Sequence, residues 1–179
     1  VAEAVSPCVL WVDEVEKAFS GIGSGGAGSE VATRLFGYFL TWMQEKTTQV
    51  FVVATANDIS ALPLELLRKG RFDEIFYVDF PNEAERKAIF RVHLDKRKKM
   101  NQQIDLHKLA KATDKYSGAD IESIVKEGIE RAFLANRAEL DTQRLMQVIE
   151  ATHPLGMVMK DKVQKYKDRF AEMKIKSAS

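Results

Sequence analysis

Several broad classes of function find little support in these 179 residues. There is one cysteine, Cys8, so no disulfide can form within the chain, and a reducing compartment is the expected setting. His93, His107 and His153 stand far apart, with no Cys or His at metal-ligand spacing, which argues against a zinc site. No apolar run nears the roughly 20 residues of a membrane span, and no membrane partner is expected. Neither sign of charge dominates. Lys and Arg number 27 against 26 Asp and Glu, a formal net charge of +1, which does not advertise a nucleic-acid partner. The remainder, 45% hydrophobic and 30% charged, is ordinary for a folded domain. The first residue is Val1 and an apolar strand begins almost at once, so the chain is expected to be part of something longer. Its lack of a targeting peptide then carries no meaning.

The chain is organised around Cys8-Val9-Leu10-Trp11-Val12, an unbroken apolar run that leads into Asp13-Glu14. Such a run suits a strand buried on both faces of a parallel sheet. Open α/β sheets place ligands at the carboxyl ends of their strands, and unpaired charge is costly to bury. The acidic pair therefore reads as a metal-holding Asp13 beside a Glu14 that acts on water. A solvated strand-to-loop turn is the plain alternative. Residues 20–29 then gather five of the ten glycines, a mobile loop by composition. It has neither a Gly-Lys-Ser/Thr ending nor a helix-opening G-x-G-x-x-G, and it reads equally as a linker and as a loop that touches a substrate.

Ser29 can cap a helix whose apolar stripe is Val31, Leu35, Tyr38, Phe39 and Trp42. A second buried strand, residues 49–54, ends in the polar run Thr55-Ala56-Asn57-Asp58. A short helix follows over residues 63–67, with Pro63 suited to its start. Leu67-Arg68-Lys69-Gly70-Arg71-Phe72-Asp73 leads to a third strand, residues 74–80. Strands alternating with helices predict a layered α/β domain.

Past Pro81 no strand is expected. Asn82 and Glu85 have capping-box spacing for a helix that runs to the basic cluster Lys96-Arg97-Lys98-Lys99, which suits a helix C-terminus. Asp105 opens a short helix over Leu106, Leu109 and Ala110. Ser117-Gly118-Ala119-Asp120 opens another, with Ile121, Ile124, Val125, Ile129, Ala132 and Phe133 as its buried face. Asp141 starts a fourth, carrying Leu145, Val148 and Ile149. The tail, residues 157–176, spaces Met159, Val163, Tyr166, Phe170 and Met173 at steps of four and three, a stripe for docking on its own domain or on a neighbouring subunit.

Taken together, these stations resemble the second half of an AAA-type ATPase module. Cys8 to Glu14 resembles the Walker B strand, and Val52-Val53-Ala54-Thr55-Ala56-Asn57 is similar to the sensor strand. Leu66-Leu67-Arg68-Lys69-Gly70-Arg71-Phe72-Asp73 resembles the segment that supplies arginine fingers. Tyr116-Ser117-Gly118-Ala119-Asp120-Ile121 is similar to the helix start of the lid. Trp11, Glu16-Lys17-Ala18-Phe19 and Ala151-Thr152-His153-Pro154-Leu155 point to a narrower likeness, with the AAA proteins encoded as a hypothetical reading frame in some algal chloroplasts and in cyanobacteria and other bacteria.

The resemblance implies an α/β fold, a partial P-loop NTPase with a three-layer parallel sheet, followed by an all-α lid bundle. The expected domains are residues 1–80 for the α/β part, 81–155 for the lid and 156–179 for a basic amphipathic helix. It implies ATP and Mg²⁺ as cofactors, with Asp13 holding the metal through its water and Glu14 polarising the attacking water. Asn57 reaches toward the γ-phosphate and that water, Arg68 and Arg71 serve the nucleotide of an adjacent subunit, and Gly118 and Ala119 lie close to the adenosine. The implied assembly is a ring, expected as a hexamer, acting on a protein client in the bacterial cytoplasm or the chloroplast stroma, the cytoplasm preferred. The chemistry asks for these residue types in its own right, since phosphoryl transfer to water is mostly positioning and charge stabilisation. A guanidinium supplied by a neighbour couples hydrolysis to assembly.

Three departures qualify the likeness. Lys69 stands where the family usually has Pro, and Ala119 replaces the sensor Arg of many relatives. No Gly-x-x-x-x-Gly-Lys-Ser/Thr occurs anywhere, so these residues alone are expected to be an inactive piece of the ATPase. A non-enzymatic scaffold and a Clp-type unfoldase subunit are the alternatives.

Overall fold

The computed structural model describes residues 1–19, 27–68, 70–135 and 139–178. Most of the Gly/Ser loop, residues 20–26, and Lys69 lie outside the described residues. The chain forms two compact units, Val1–Ile75 and Phe76–Ser179, each with its own core.

In the first unit β1 (Cys8–Val12) and β2 (Val50–Ala54) pair in parallel, in register from Cys8↔Val50 to Val12↔Ala54. Parallel neighbours need a crossover, and here it carries α1 (Val15–Ala18) and α2 (Ala27–Glu45). Turns of 3₁₀ helix at Ile59–Ala61 and Leu64–Leu67 complete the unit. Its core is Val15, Phe19, Phe36 and Leu66, with Phe39, Leu40, Leu62 and Phe72 packed against them.

Two expectations are corrected here. The strands are not buried on both faces: the helices of this unit cover one side, and Val9, Trp11 and Phe51 on the other are 65%, 64% and 68% exposed. The buried stripe of α2 is also rotated. Phe36, Phe39, Leu40 and Met43 face inward, at steps of three, four and seven from Phe36, whereas Val31, Leu35 and Tyr38 are exposed. The helix has apolar residues on more than one face, and the edge-on contact of Phe36 with Phe19, centroids 4.9 Å apart, marks the inward one.

The second unit begins with β3 (Phe76–Tyr77), a much shorter strand than residues 74–80. Four helices build the main core: α3 (Glu83–Lys96), α4 (Leu106–Ala112), α5 (Gly118–Leu134) and α6 (Thr142–Ala151). Phe90, Leu94, Leu109, Ile121, Ile124, Val125, Leu145 and Val148 meet at its centre. All four helices carry the expected N-caps, with full capping boxes at Asn82/Glu85 and Ser117/Asp120. Arg86 is buried and holds the entry to the lid, donating from Nε to the Ala110 carbonyl (3.0 Å) and from Nη1 to that of Pro81 (2.7 Å). Phe133 is not part of the buried face: it follows Ala132, the last buried residue of α5, and points to solvent.

The tail is interrupted. It forms α7 (Leu155–Val158), α8 (Lys160–Glu172) and then β4 (Lys176–Ser177), a strand where none was expected, which pairs in parallel with β3. Phe170 of α8 lies on Tyr77 with centroids 4.6 Å apart, and Lys167 pairs with Asp79 at 2.5 Å. A strand can form there because this contact brings the chain back alongside β3.

Candidate active site

The site is built where β1 and β2 end together. Pairing continues one step past the strands: the Thr55 N–H donates to the Val12 carbonyl and the Val15 N–H donates to that of Thr55, both at 2.9 Å. The acidic pair lies between these two clamps. The Thr55 hydroxyl donates to Asp13 Oδ1 and accepts the Glu14 N–H at 3.1 Å, so one side chain touches both residues. Glu14 itself adopts a left-handed conformation, φ 49° and ψ 51°. For a residue with a Cβ this costs about 1–2 kcal/mol. Such strain persists only where surrounding bonds impose it, and it collects at functional sites.

The turn aims the Glu14 carboxylate across to the second strand. Asn57 Nδ2 donates to Glu14 Oε1 at 2.9 Å, and Lys17 Nζ reaches Oε2 at 2.5 Å. The Lys17 ammonium is held above its usual pKa first by that hydrogen bond and then by the charge of Glu14. Being exposed, this pair orients Glu14 more than it stabilises the fold. From the other side the Asn57 N–H donates to Glu16 Oε1 at 3.2 Å. Glu16 is buried in α1, and its Oε2 has no hydrogen-bond partner among the described residues. Asp58, next in sequence, caps the 3₁₀ turn at Ile59–Ala61 by accepting the Ser60 N–H at 2.9 Å, a structural task.

Asp13, Glu14 and Asn57 are thus brought together. Arg68 and Arg71 lie in the same unit on either side of Gly70, whose φ of +90° is one that a larger residue would resist. Arg68 is exposed, while Arg71 is half-buried with its Nε buried and unpartnered among the described residues. No hydrogen bond or ion pair among those residues joins either arginine to the acidic pair. Gly118 and Ala119 belong to the second unit and form the first turn of α5 behind the Ser117 cap. Neither conformation nor packing demands glycine at 118: an added Cβ would meet only Ile89 Cδ1, at 3.9 Å. Tyr116 anchors this helix start by donating to the carbonyls of Ile149 (3.1 Å) and Thr152 (2.9 Å).

Two residues of the site were not singled out from the sequence, Thr55 and Glu16. Thr55 carried a usable signal, a hydroxyl in the polar run that closes an apolar strand. Glu16 carried none, since a third acidic residue in a charged turn reads as solvated. Among the described residues no group of three or more His, Cys, Asp or Glu could hold a metal ion. A closed protein cage is therefore not on offer, but a single carboxylate such as Asp13 suits Mg²⁺, which keeps several of its waters.

Residues 1–80 match the family described as "ATPase family associated with various cellular activities (AAA)", and residues 103–147 match the "AAA+ lid domain". Among curated relatives, an "Uncharacterized AAA domain-containing protein ycf46" of Pyropia yezoensis is 44% identical over 180 residues, covering 100% of this chain and 36% of that protein. The protein of the same description from Guillardia theta is 42% identical over 99% of the chain and 35% of its own length. "ATP-dependent zinc metalloprotease FtsH 3" of Synechocystis sp. is 32% identical over 83% of the chain and 24% of its own length. The chain spans about a third of the length of the first two relatives.

Proposed function

Because the chain belongs to the AAA family of ATPases, running from the acidic strand through the lid, we propose that the protein carrying it hydrolyses ATP with Mg²⁺ in an oligomeric ring, expected as a hexamer, and uses that work to remodel a protein client. The observation that carries the reading is the hydrogen bond between Asn57 Nδ2 and Glu14 Oε1 at the carboxyl ends of two paired parallel strands, with Glu14 held in a left-handed turn. A carboxylate and a neutral amide so placed can share one water between an acceptor and a donor, the arrangement that in-line attack on a phosphoryl group requires. Asp13 would hold Mg²⁺ through a metal-bound water, its other oxygen fixed by Thr55. When bound, Mg²⁺ neutralises charge on the phosphoryl oxygens. Glu14 takes up the proton of the attacking water while Asn57 fixes its direction. Gly118 and Ala119 leave a bare first turn on α5 against which a nucleobase and ribose can lie.

Among the described residues no hydrogen bond or ion pair ties Arg68 or Arg71 to the acidic pair of their own chain, which supports a role as fingers that serve the nucleotide of an adjacent subunit. A guanidinium in that position stabilises charge as it develops. The proposed setting is the bacterial cytoplasm or the chloroplast stroma, the cytoplasm preferred. The 179 residues by themselves are expected to turn over no ATP, since no Gly-x-x-x-x-Gly-Lys-Ser/Thr cradle for the phosphates is among them.

The test is Glu14→Gln in the full-length protein. ATP turnover should fall by at least about 100-fold, as loss of a general base predicts, while ATP is still bound. Unchanged turnover would remove Glu14 from the mechanism and the reading with it.

A further inference from the structure

Glu16 has no task in the hydrolysis described above, yet its carboxylate is among the most buried charged groups of the chain. It is 8% exposed, in a four-residue helix directly behind the acidic pair. A carboxylate in such a place is costly unless it is paired, and an apolar side chain there would pack without that cost. Its one hydrogen bond among the described residues is from the backbone N–H of Asn57 to Oε1, at 3.2 Å. Its neighbour Glu14 accepts from the side chain of that same asparagine at 2.9 Å.

The two glutamates therefore grip Asn57 at two points, one on the main chain and one on the amide. The grip crosses from the turn after β1 to the turn after β2. Thr55, two residues earlier, is tied to the end of β1 and the turn after it by four hydrogen bonds of its own, to Val12, Asp13, Glu14 and Val15, but among the described residues Ala56 and Asn57 have no ladder bond beyond it. Asp58 caps the 3₁₀ turn that follows and Ile59 is buried, so Asn57 links two fixed points. Without Glu16 its N–H loses its partner, and a rotation of the peptides between Thr55 and Asp58 would carry Nδ2 out of range of Glu14.

We propose that Glu16 is a positioning residue: by accepting the Asn57 N–H, it sets the distance between the Asn57 amide and the Glu14 carboxylate on which water activation depends. The inference rests on the proposed hydrolytic role of Glu14 and Asn57. It assigns to Glu16 the reach of its carboxylate oxygen Oε1 rather than its charge. A glutamine keeps an oxygen at the same reach. An aspartate keeps the charge but is one methylene short, roughly 1.5 Å, too far for the bond.

Four variants of the full-length protein test this: Glu16→Gln, Glu16→Asp, Asn57→Ala, and Glu16→Asp combined with Asn57→Ala. ATP turnover, KM and the thermal midpoint are measured for each. Glu16→Gln should keep kcat within about threefold of the wild type. Glu16→Asp should lower it about tenfold or more, with KM within threefold and the fold intact. In the Asn57→Ala background Glu16→Asp should have no further effect, because a residue that acts only through another is silent once that residue is gone. The reverse order, with Asp active and Gln slow, would overturn the proposal, as would full additivity of the double variant. If Asn57→Ala itself leaves kcat unchanged, it is the hydrolytic reading of the site that fails. If Asn57→Ala slows turnover and Glu16→Asp does not, this inference alone fails.

Discussion

Thr55 illustrates how much one hydroxyl can organise. It donates to Asp13 and accepts from the strained Glu14, so Thr55→Val, close in shape, strips a bond from each. We expect stability to fall by about 1–2 kcal/mol, the usual cost of leaving such groups unpaired, measurable by urea denaturation. ATP turnover of the full-length protein should fall about tenfold or more, because the left-handed turn at Glu14 relaxes. A variant that lost stability but kept full turnover would restrict Thr55 to a structural role. At this scale the grouping of Asp13, Glu14 and Asn57 was legible. The pair Asp13-Glu14 follows an apolar run, and Asn57 closes the next one, so both are marked by where hydrophobicity stops. Glu16 was not legible, since its burial depends on a turn whose direction is set by φ at Glu14, and a sequence does not display a dihedral angle.

Among the elements, the lid helices are the most legible. Asn82, Asp105, Ser117 and Asp141 each accept a backbone N–H two or three residues on, the local bonding that makes these residue types start helices. Ties between helices are less so. Arg97, just past α3, donates to Glu122 of α5 at 2.7 Å, and Lys126 pairs with the same carboxylate at 3.1 Å. The Arg97 bond first, then Lys126, hold the Glu122 carboxyl at a pKa of about 2 against an ordinary 4.5. A depressed pKa contributes stability above the unfolded-state value, and that contribution is lost as pH falls through the folded one. The thermal midpoint of the chain should therefore exceed that of Glu122→Gln by a constant amount above about pH 5. The gap should narrow from about pH 4.5 and close near pH 2; a gap that widens on acidification would show the tie to be unimportant. In the tail, burial pushes the Asp79 carboxyl up, but hydrogen bonds from Lys167, Tyr77 and the Phe80 N–H outweigh it and hold it below the ordinary range. Burial, then Asp79, raises the Tyr77 phenol. Lys167 and Phe170, which meet Asp79 and Tyr77, come from a helix some ninety residues downstream, which explains why the pairing of β3 with β4 was not foreseen.

On the scale of the whole molecule, the second unit contains a closed core of its own, built largely from neighbouring helices. Helical contacts are local and inexpensive to close. We expect residues 76–179 alone to unfold in one cooperative thermal transition by circular dichroism; a broad, non-cooperative loss of ellipticity would contradict a self-sufficient lid. The first unit differs, with Val9, Trp11 and Phe51 exposed on one sheet face. By itself the sequence determined the class of fold, the helix starts of the lid and the place of the acidic pair, because hydrophobic periodicity and capping are properties of residues close together in the chain. Only the tertiary structure decided which face of α2 turns inward, that Glu14 is left-handed, that Glu16 is buried behind Asn57 and that the tail returns to β3. Each of those depends on contacts between residues tens of positions apart, which no local pattern encodes.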